Sequence, residues 1–331
     1  MELKKIHEEL DIALERAWFE KEEMKLQELI KKIDFHAYEI NCRKLKMKNK
    51  IAQGAFGSVY EGIYGGKKVA VKVFHNAEES KRFSLRRSFV QEICLSKDLD
   101  HPNIAKFIGA MENMLEVNIK LKKSQEFDPS LDCCVVTEFL PGGTLNQYIK
   151  RHHVKKLPID IVIQLALDVA DGLSYIHSKN IIHRDLKTDN MLLDKNGRVK
   201  IIDFGVSKIE DLSQNTQNTG TLGFMAPEVL TGSSYDHKCD VFSFGICLWE
   251  IFCCWPYHSE AMDNPNLYKK VRPDIPKSCP SVLADLMKQC WDADPNKRPE
   301  MRSVVETLRE FEASTFHQGA KGPSCLSCFS S

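Results

Sequence analysis

What most constrains this chain is a change of pattern at Pro141. From about residue 44 the stretch LKMKNKIAQGAFGSVYEGIYGGKKVAVKVF alternates apolar and polar residues, broken by glycines. That period of two predicts successive antiparallel strands, with YGGKK as a hairpin turn. Residues 81–99 switch to helical spacing, with Phe89, Ile93 and Cys94 on one face. Residues 104–139 return to strand character around the polar stretch KLKKSQEFDPSLD, read as a loop between two strands. After Pro141 the chain is mainly helical, over 144–152, 158–178, 236–254, 281–291 and 300–312. Strands followed by helices predict an α+β protein: a small antiparallel β-rich part with one main helix, then a larger helical part.

Residues 1–34 contain no Pro or Gly, and Leu3, Ile6, Leu10, Ala13 and Ala17 follow helical spacing. The pattern slips after Trp18 and resumes at Leu26, Leu29, Ile30 and Ile33, too broken for a coiled coil. Residues 1–43 are therefore expected to be a helical extension packed on the domain that follows. The small polar residues 313–331 are expected to be a disordered tail. Lys+Arg and Asp+Glu both number 46, so formal net charge is zero and nothing favours nucleic acid as a partner. No apolar run reaches a membrane span, and the charged stretch MELKKIHEEL does not read as a signal peptide. The twelve cysteines are scattered, mostly within apolar segments, which points to thiols in a reducing, cytoplasmic setting. Cys325 and Cys328 form the one Cys-x-x-Cys; without a second ligand pair it does not read as a zinc site. Membrane association is not expected, acylation at these two cysteines being the one route left open.

The chemistry lies in polar clusters set among apolar segments. In IAQGAFGSVYEG, residues 51–62, Gly54 and Gly57 would let backbone N–H groups approach a polyphosphate. Lys72 ends the apolar VAVK and suits the α- and β-phosphates, with Glu92 as the carboxylate that would hold it. IIHRDLKTDNMLL, residues 181–193, crowds charge between branched aliphatics, where unpaired charge is costly. Asp185 could accept the proton of an attacking hydroxyl, Lys187 could neutralise a transferring phosphoryl group, and Asn190 could bind a divalent cation. Asp203, in DFG after the apolar VKII, offers a second oxygen ligand. One carboxylate, one amide and phosphate oxygens suit Mg²⁺.

Taken in order, AQGAFGSV, Lys72 in VAVK, Glu92, HRDLKTDN, DFG and APE at 226–228 resemble the eukaryotic protein kinases. The resemblance covers about residues 44–312. It implies a bilobal fold with an N-lobe at 44–137, a hinge at 138–141 and a C-lobe at 142–312. It implies ATP and Mg²⁺ as cofactors, Asp185 as catalytic base, Asn190 and Asp203 as metal ligands, and Lys72 paired with Glu92 on the phosphates. Glu138 and Leu140 would offer backbone groups to adenine and Thr137 would line the back of the pocket. Val59, Ala70 and Leu192 would also contact the nucleotide. Glu228 should pair with Arg298, and Asp240 should anchor the backbone of the catalytic loop.

Lys187 after HRDL and GTLGFMAPE follow the serine/threonine pattern, with Thr221 expected to contact Asp185 and Lys187. DVFSFGICLWEI, LPGGTLNQYI and CWDADPNKRPEM are similar to the tyrosine-kinase-like group and, within it, to plant Raf-like mitogen-activated protein kinase kinase kinases. The resemblance implies a serine/threonine protein kinase in a signalling cascade, acting on protein Ser and Thr. The alternatives are a catalytically weak pseudokinase scaffold and a dual-specificity kinase that also modifies Tyr. Arg184 should pair with a phosphate on the loop 203–228, which holds Ser207, Ser213, Thr216, Thr219 and Thr221. Thr216 or Thr219 is the expected switch, set by an upstream kinase or by autophosphorylation in trans. Three departures bear on activity. Ala52 replaces a loop glycine, at a cost if its φ must be positive. Ser96 replaces an apolar residue expected against Phe204, and residues 257–276 are short and contain Asn-Pro.

Overall fold

A computed structural model describes residues 34–54, 57–74, 82–112, 118–119, 133–210, 220–257 and 272–319, with isolated positions between 21 and 31. The chain divides into two compact units: residues up to Leu99 with Lys106–Phe139, and Asp100–Ala105 with the chain from Leu140 onward. The first is a β-sheet with one main helix and the second is mainly helical, the α+β arrangement expected.

In the first unit β1 (Leu45–Gly54), β2 (Gly57–Tyr64) and β3 (Lys67–Phe74) form an antiparallel meander. Gly65 and Gly66 make the β2–β3 turn at φ 56° and 79°. Positive φ at both positions matches the right-handed twist of the strands and is open to glycine at no steric cost. β4 (Phe107–Met111) and β6 (Cys133–Glu138) extend the sheet through antiparallel pairing of β6 with β3. β5 (Asn118–Ile119) departs from the antiparallel expectation, since it pairs parallel to β1. Among the described residues the strand order is β4-β6-β3-β2-β1-β5. Alternation sends Val69, Val71 and Val73 to a core shared with Leu45, Met47, Tyr60 and Val136. α1 (Arg82–Ser96) lays Phe89, Val90 and Ile93 against Phe74 and Val135. Leu26, from the helical positions 21–31, is buried in the same cluster, so this part of the extension packs on the sheet unit.

Residues 100–105 depart from the expected contiguous N-lobe, because their backbone is claimed by the second unit. Ala105 N donates to Ile201 O at 3.0 Å, and Asn103 Nδ2 donates to Val199 O at 2.9 Å. The second unit is built on α3 (Ile159–Ser178) and α5 (Lys238–Cys253), both buried along most of their length. α2 (Leu145–Arg151) begins with a capping box, Thr144 Oγ1 accepting from Gln147 N and Gln147 Oε1 accepting from Thr144 N. α4 (Pro227–Leu230), α6 (Ser281–Cys290) and α7 (Met301–Gly319) complete it. α7 overruns the expected tail boundary at 313, since Ala313 to Gln318 include no helix breaker and extending a formed helix costs little. Cys239, Cys247, Cys254 and Cys290 are buried, and burial pushes the Cys253 and Cys290 thiols up to about 12. They act as small apolar groups.

The expectations for residues 1–20, the 120–132 loop, the Asn-Pro stretch and the Cys325–Cys328 pair lie outside the described residues.

Candidate active site

In the sheet unit, Lys72 sits on β3 between the core residues Val71 and Val73, so the pleat turns it to the opposite face. Its Nζ donates to Glu92 Oε2 at 2.7 Å. Glu92 is buried on α1, and both side chains are largely withdrawn from water. Twenty positions apart in sequence, the two are joined by packing α1 on the sheet. Ser96, one helical turn on, donates its hydroxyl to Glu92 O, so its polar atom is satisfied within the helix.

Gly54 and Gly57 face each other at the end of the β1–β2 ladder. They are not equivalent. Gly57 has φ 148°, and a Cβ there would lie 1.9 Å from Val73 O. Gly54 carries no such demand, its nearest neighbour being Gly57 O at 3.8 Å. Ala52 pairs with Val59 in ordinary strand conformation and is not among the positive-φ residues, so the anticipated strain does not arise. Val59 also pairs with Lys72, and Ala70 with Thr137. The Glu138 side chain has a partner of its own: its Oε1 accepts from Lys106 N at 2.8 Å.

In the helical unit, HRDLKTDN runs between β7 (Ile181–Ile182) and β8 (Met191–Leu193), through a 3-10 turn at Thr188–Asn190. Three of its polar side chains, Asp185, Lys187 and Asn190, are tied to one another within the unit. Asn190 Nδ2 donates to Asp185 Oδ2 and to Asp185 O, both at 2.8 Å. Lys187 Nζ lies 2.9 Å from Asp185 Oδ2 and donates to Thr221 Oγ1 at 2.6 Å. Thr221 in turn donates to Asp185 Oδ1 at 2.6 Å. Asp185, Lys187, Asn190 and Thr221 therefore form one network, the Thr221 contacts being those expected. With its amide nitrogen committed to Asp185, Asn190 presents its carbonyl oxygen as the free ligand atom.

β9 (Val199–Ile201) pairs antiparallel to β8, with Leu192 opposite Lys200. Ile202 N donates to Asn190 O at 3.0 Å, which brings Asp203 in sequence next to the Asn190 turn. Asp203 has φ 68°, a left-handed backbone that costs a non-glycine residue energy and that clusters at functional positions. Its Oδ1 accepts from Gly205 N at 3.3 Å. Phe204 packs edge-on against His183, ring centroids 5.4 Å apart. Leu140 is buried at the start of this unit.

Arg184 is also left-handed, at φ 69°, and its amide converges with that of His183 on the buried Asp240. The distances are 2.9 and 2.7 Å. Burial pushes Asp240 up, but His177, at 3.0 Å, and the His183 amide outweigh it and hold the carboxyl below its ordinary range. The Arg184 side chain donates to Val206 O and reaches Tyr235 Oη at 3.4 Å. Lys208, on β10 (Lys208–Ile209), lies over the same Tyr235 ring. Burial and the Arg184 charge push Lys208 down. Ser207 is buried and donates to His183 O at 3.0 Å, so its hydroxyl is sequestered. Thr216 and Thr219 lie outside the described residues.

The props of this loop were harder to read. Thr188 donates to Glu250, and Asn146 Nδ2 donates to Asp189 Oδ2 at 2.8 Å. His177 supports Asp240. One signal could have found Glu250: a carboxylate inside the apolar run ICLWEIF needs a buried partner. The Glu228–Arg298 pair forms as expected, with Arg298 Nη1 and Nη2 on the two carboxylate oxygens at 2.6 and 2.8 Å.

A family model described as protein tyrosine and serine/threonine kinase matches residues 45–308. Serine/threonine-protein kinase STY46 of Arabidopsis thaliana is 38% identical over 288 residues, which cover 85% of this chain and 47% of that protein. Serine/threonine/tyrosine-protein kinase HT1 of Arabidopsis thaliana is 37% identical over 271 residues, covering 80% of this chain and 65% of that protein. Probable serine/threonine-protein kinase kinX of Dictyostelium discoideum is 35% identical over 286 residues, covering 84% of this chain and 24% of that protein. The chain thus spans less than two thirds of the length of each of these relatives.

Proposed function

The chain belongs to the protein tyrosine and serine/threonine kinase family, and on that premise we propose that it transfers the γ-phosphate of ATP to Ser and Thr hydroxyls of protein substrates. The observation that carries this reading is the Thr221 hydroxyl, bonded to both Lys187 and Asp185. It supports the serine/threonine type because it ties the loop after the switch region to the proton-accepting carboxylate. Family members use ATP with a divalent cation. The donor set fits such an ion, since the Asn190 carbonyl oxygen and the Asp203 carboxylate are both hard oxygen ligands. Mg²⁺ held there would neutralise charge on the phosphates.

The chain's own residues supply the rest. Asp185 accepts the hydroxyl proton of the substrate Ser or Thr. Oδ2 is occupied by Asn190 and Lys187 and Oδ1 by Thr221, which fixes the carboxylate and leaves lone-pair capacity for one more donor. Lys187 offsets charge developing on the transferred phosphoryl group. Lys72 holds the α- and β-phosphates while Glu92 fixes its ammonium group. Gly54, Gly57, Val59, Ala70, Thr137, Glu138, Leu140 and Leu192 complete the nucleotide contacts.

Arg184 and Lys208, gathered around Tyr235, would receive a phosphate on Thr216 or Thr219, placed by an upstream kinase or in trans. A cytoplasmic setting belongs to the same proposal. Transfer to Tyr as well is favoured by one observation, the serine/threonine/tyrosine designation of the relative HT1. The Arabidopsis relatives also agree with the resemblance to plant Raf-like kinases.

The test is incubation with Mg-ATP and a basic acceptor protein, followed by phosphoamino-acid analysis, beside Lys72→Met and Asp185→Asn variants. Phosphoserine and phosphothreonine should appear, and Asp185→Asn should lose about 10²- to 10⁴-fold of the rate. Incorporation no greater than that of Lys72→Met would make the chain a scaffold instead.

A further inference from the structure

We propose that the connection between α2 and α3, with the end of α5, is a docking surface for an anionic lipid membrane. Residues 150–156 read KRHHVKK, and no acidic residue occurs from 139 to 159, although the whole chain balances 46 basic against 46 acidic residues. The positive charge is therefore local to this loop. Its Lys150, Arg151, Lys155 and Lys156 are all exposed.

The loop is held in shape. His152 Nδ1 lies 2.9 Å from Tyr148 O, which turns the chain at the end of α2. Lys156 Nζ donates to Cys253 O, and Leu157 N donates to Cys254 Sγ at 3.5 Å. These bonds pin the far side of the loop to the end of α5, where Cys254 takes a left-handed φ of 47°. Trp255, the next residue, is 49% exposed, and its ring lies 4.1 Å from that of His153. Val154 follows directly on His153 and is 91% exposed. An aliphatic tip, an indole from just beyond α5 and three exposed cations, two of them at the end of α2, thus meet at one braced connection.

The form of the patch selects the partner. A peptide is gripped by burying anchors in a groove or pocket, and Val154 protrudes instead of lining one. A lipid surface accepts a protruding aliphatic side chain at the headgroup boundary and suits an indole at the same depth. Cations beside it are attracted by anionic headgroups. None of these residues takes part in the phosphoryl-transfer site, so the inference stands apart from the proposed activity.

The experiment is sedimentation of the full, unacylated chain with vesicles of phosphatidylcholine alone or with about 30% phosphatidylserine, at low and high salt. Binding should require phosphatidylserine and fade with salt. The double variant Arg151→Gln, Lys155→Gln should lose about 30-fold in partitioning, equivalent to two charges at about 1 kcal/mol each. Val154→Ser, with charge unchanged, should lose several-fold. Both variants should keep the thermal unfolding midpoint and the solution activity of the parent, since the changed side chains are exposed. Equal binding to both vesicle types, binding to neither, or binding indifferent to both variants would overturn the proposal. Binding of soluble polyglutamate without binding of vesicles would overturn it in favour of an acidic peptide.

Discussion

The hydroxyl of Thr188 lies 2.7 Å from Oε2 of Glu250, and both residues are buried. The other carboxylate oxygen accepts from Tyr257 N at 2.7 Å. The turn that carries Asn190 is therefore fastened to the last turn of α5. Burial raises the Glu250 carboxyl from 4.5 to about 7, against the lowering effect of these two hydrogen bonds. Folding takes up a proton in that interval, so the protonated form favours the native state. Relative to an unburied carboxyl, stability is highest below pH 4.5 and falls as pH rises towards 7. The loss is on the order of 3 kcal/mol. Glu250→Gln does not titrate and can keep both contacts, its Oε1 accepting from Tyr257 N and its Nε2 donating to the Thr188 hydroxyl. Its unfolding midpoint should exceed that of the parent at pH 8 and converge on it near pH 5; parallel midpoint curves for the two proteins would count against this assignment.

Among the described residues, Thr221 is the one side chain outside the catalytic loop that bonds both Asp185 and Lys187. Hydrogen bonds to charged groups are worth about 1.5–3 kcal/mol, so Thr221→Val should slow transfer about 10- to 100-fold. Thr221→Ser keeps the hydroxyl and should stay near the parent rate. Steady-state kinetics on both variants decide the matter. Equal loss in both would point to the Thr methyl and its packing instead.

The two glycines of the β1–β2 end should answer substitution differently. At Gly57 an added Cβ would meet Val73 O at 1.9 Å, so Gly57→Ala should destabilise the sheet unit by about 3–5 kcal/mol. Gly54→Ala meets nothing closer than 3.8 Å and should stay within about 1 kcal/mol of the parent. Denaturant unfolding measures both. Similar losses at the two positions would mean that the fold does not impose the difference.

Arg298 has no exposed side-chain surface, and besides Glu228 it donates to Lys238 O at 3.0 Å and Asp292 O at 2.9 Å. Removing one partner of such a pair leaves a buried charge uncompensated. Arg298→Ala should cost about 3–5 kcal/mol. A Glu228→Gln, Arg298→Met double variant should recover part of that loss, since the isolated charge disappears. A double variant weaker than Arg298→Ala by the full Glu228→Gln effect would show the two residues acting independently.

Much of this was legible in the residues themselves. The YGGKK hairpin, the alternation of β3 and the helices after Pro141 follow from local rules of pleat, turn and helical face. HRDLKTDN with DFG marked a polar site, because so much charge among aliphatics must have partners. The parallel pairing of β5 was not legible, since two residues carry no periodicity. Nor was the transfer of residues 100–105 to the helical unit, which rests on backbone bonds to β9, nearly a hundred positions away. The close approach of Gly57 to the carbonyl of Val73 on a neighbouring strand was not legible either, since it depends on how β2 lies against β3.

By itself, then, the order of residues determined the element types, the apolar faces and the set of reactive side chains, because each depends on neighbours within a few positions. Only the tertiary structure decided the pairs that no motif implies. Asn146 finds Asp189 across 43 positions, Thr188 finds Glu250 across 62, and His177 finds Asp240 across 63. Such pairs form where packing of the core brings distant segments together and burial makes an unpartnered polar group too costly to leave.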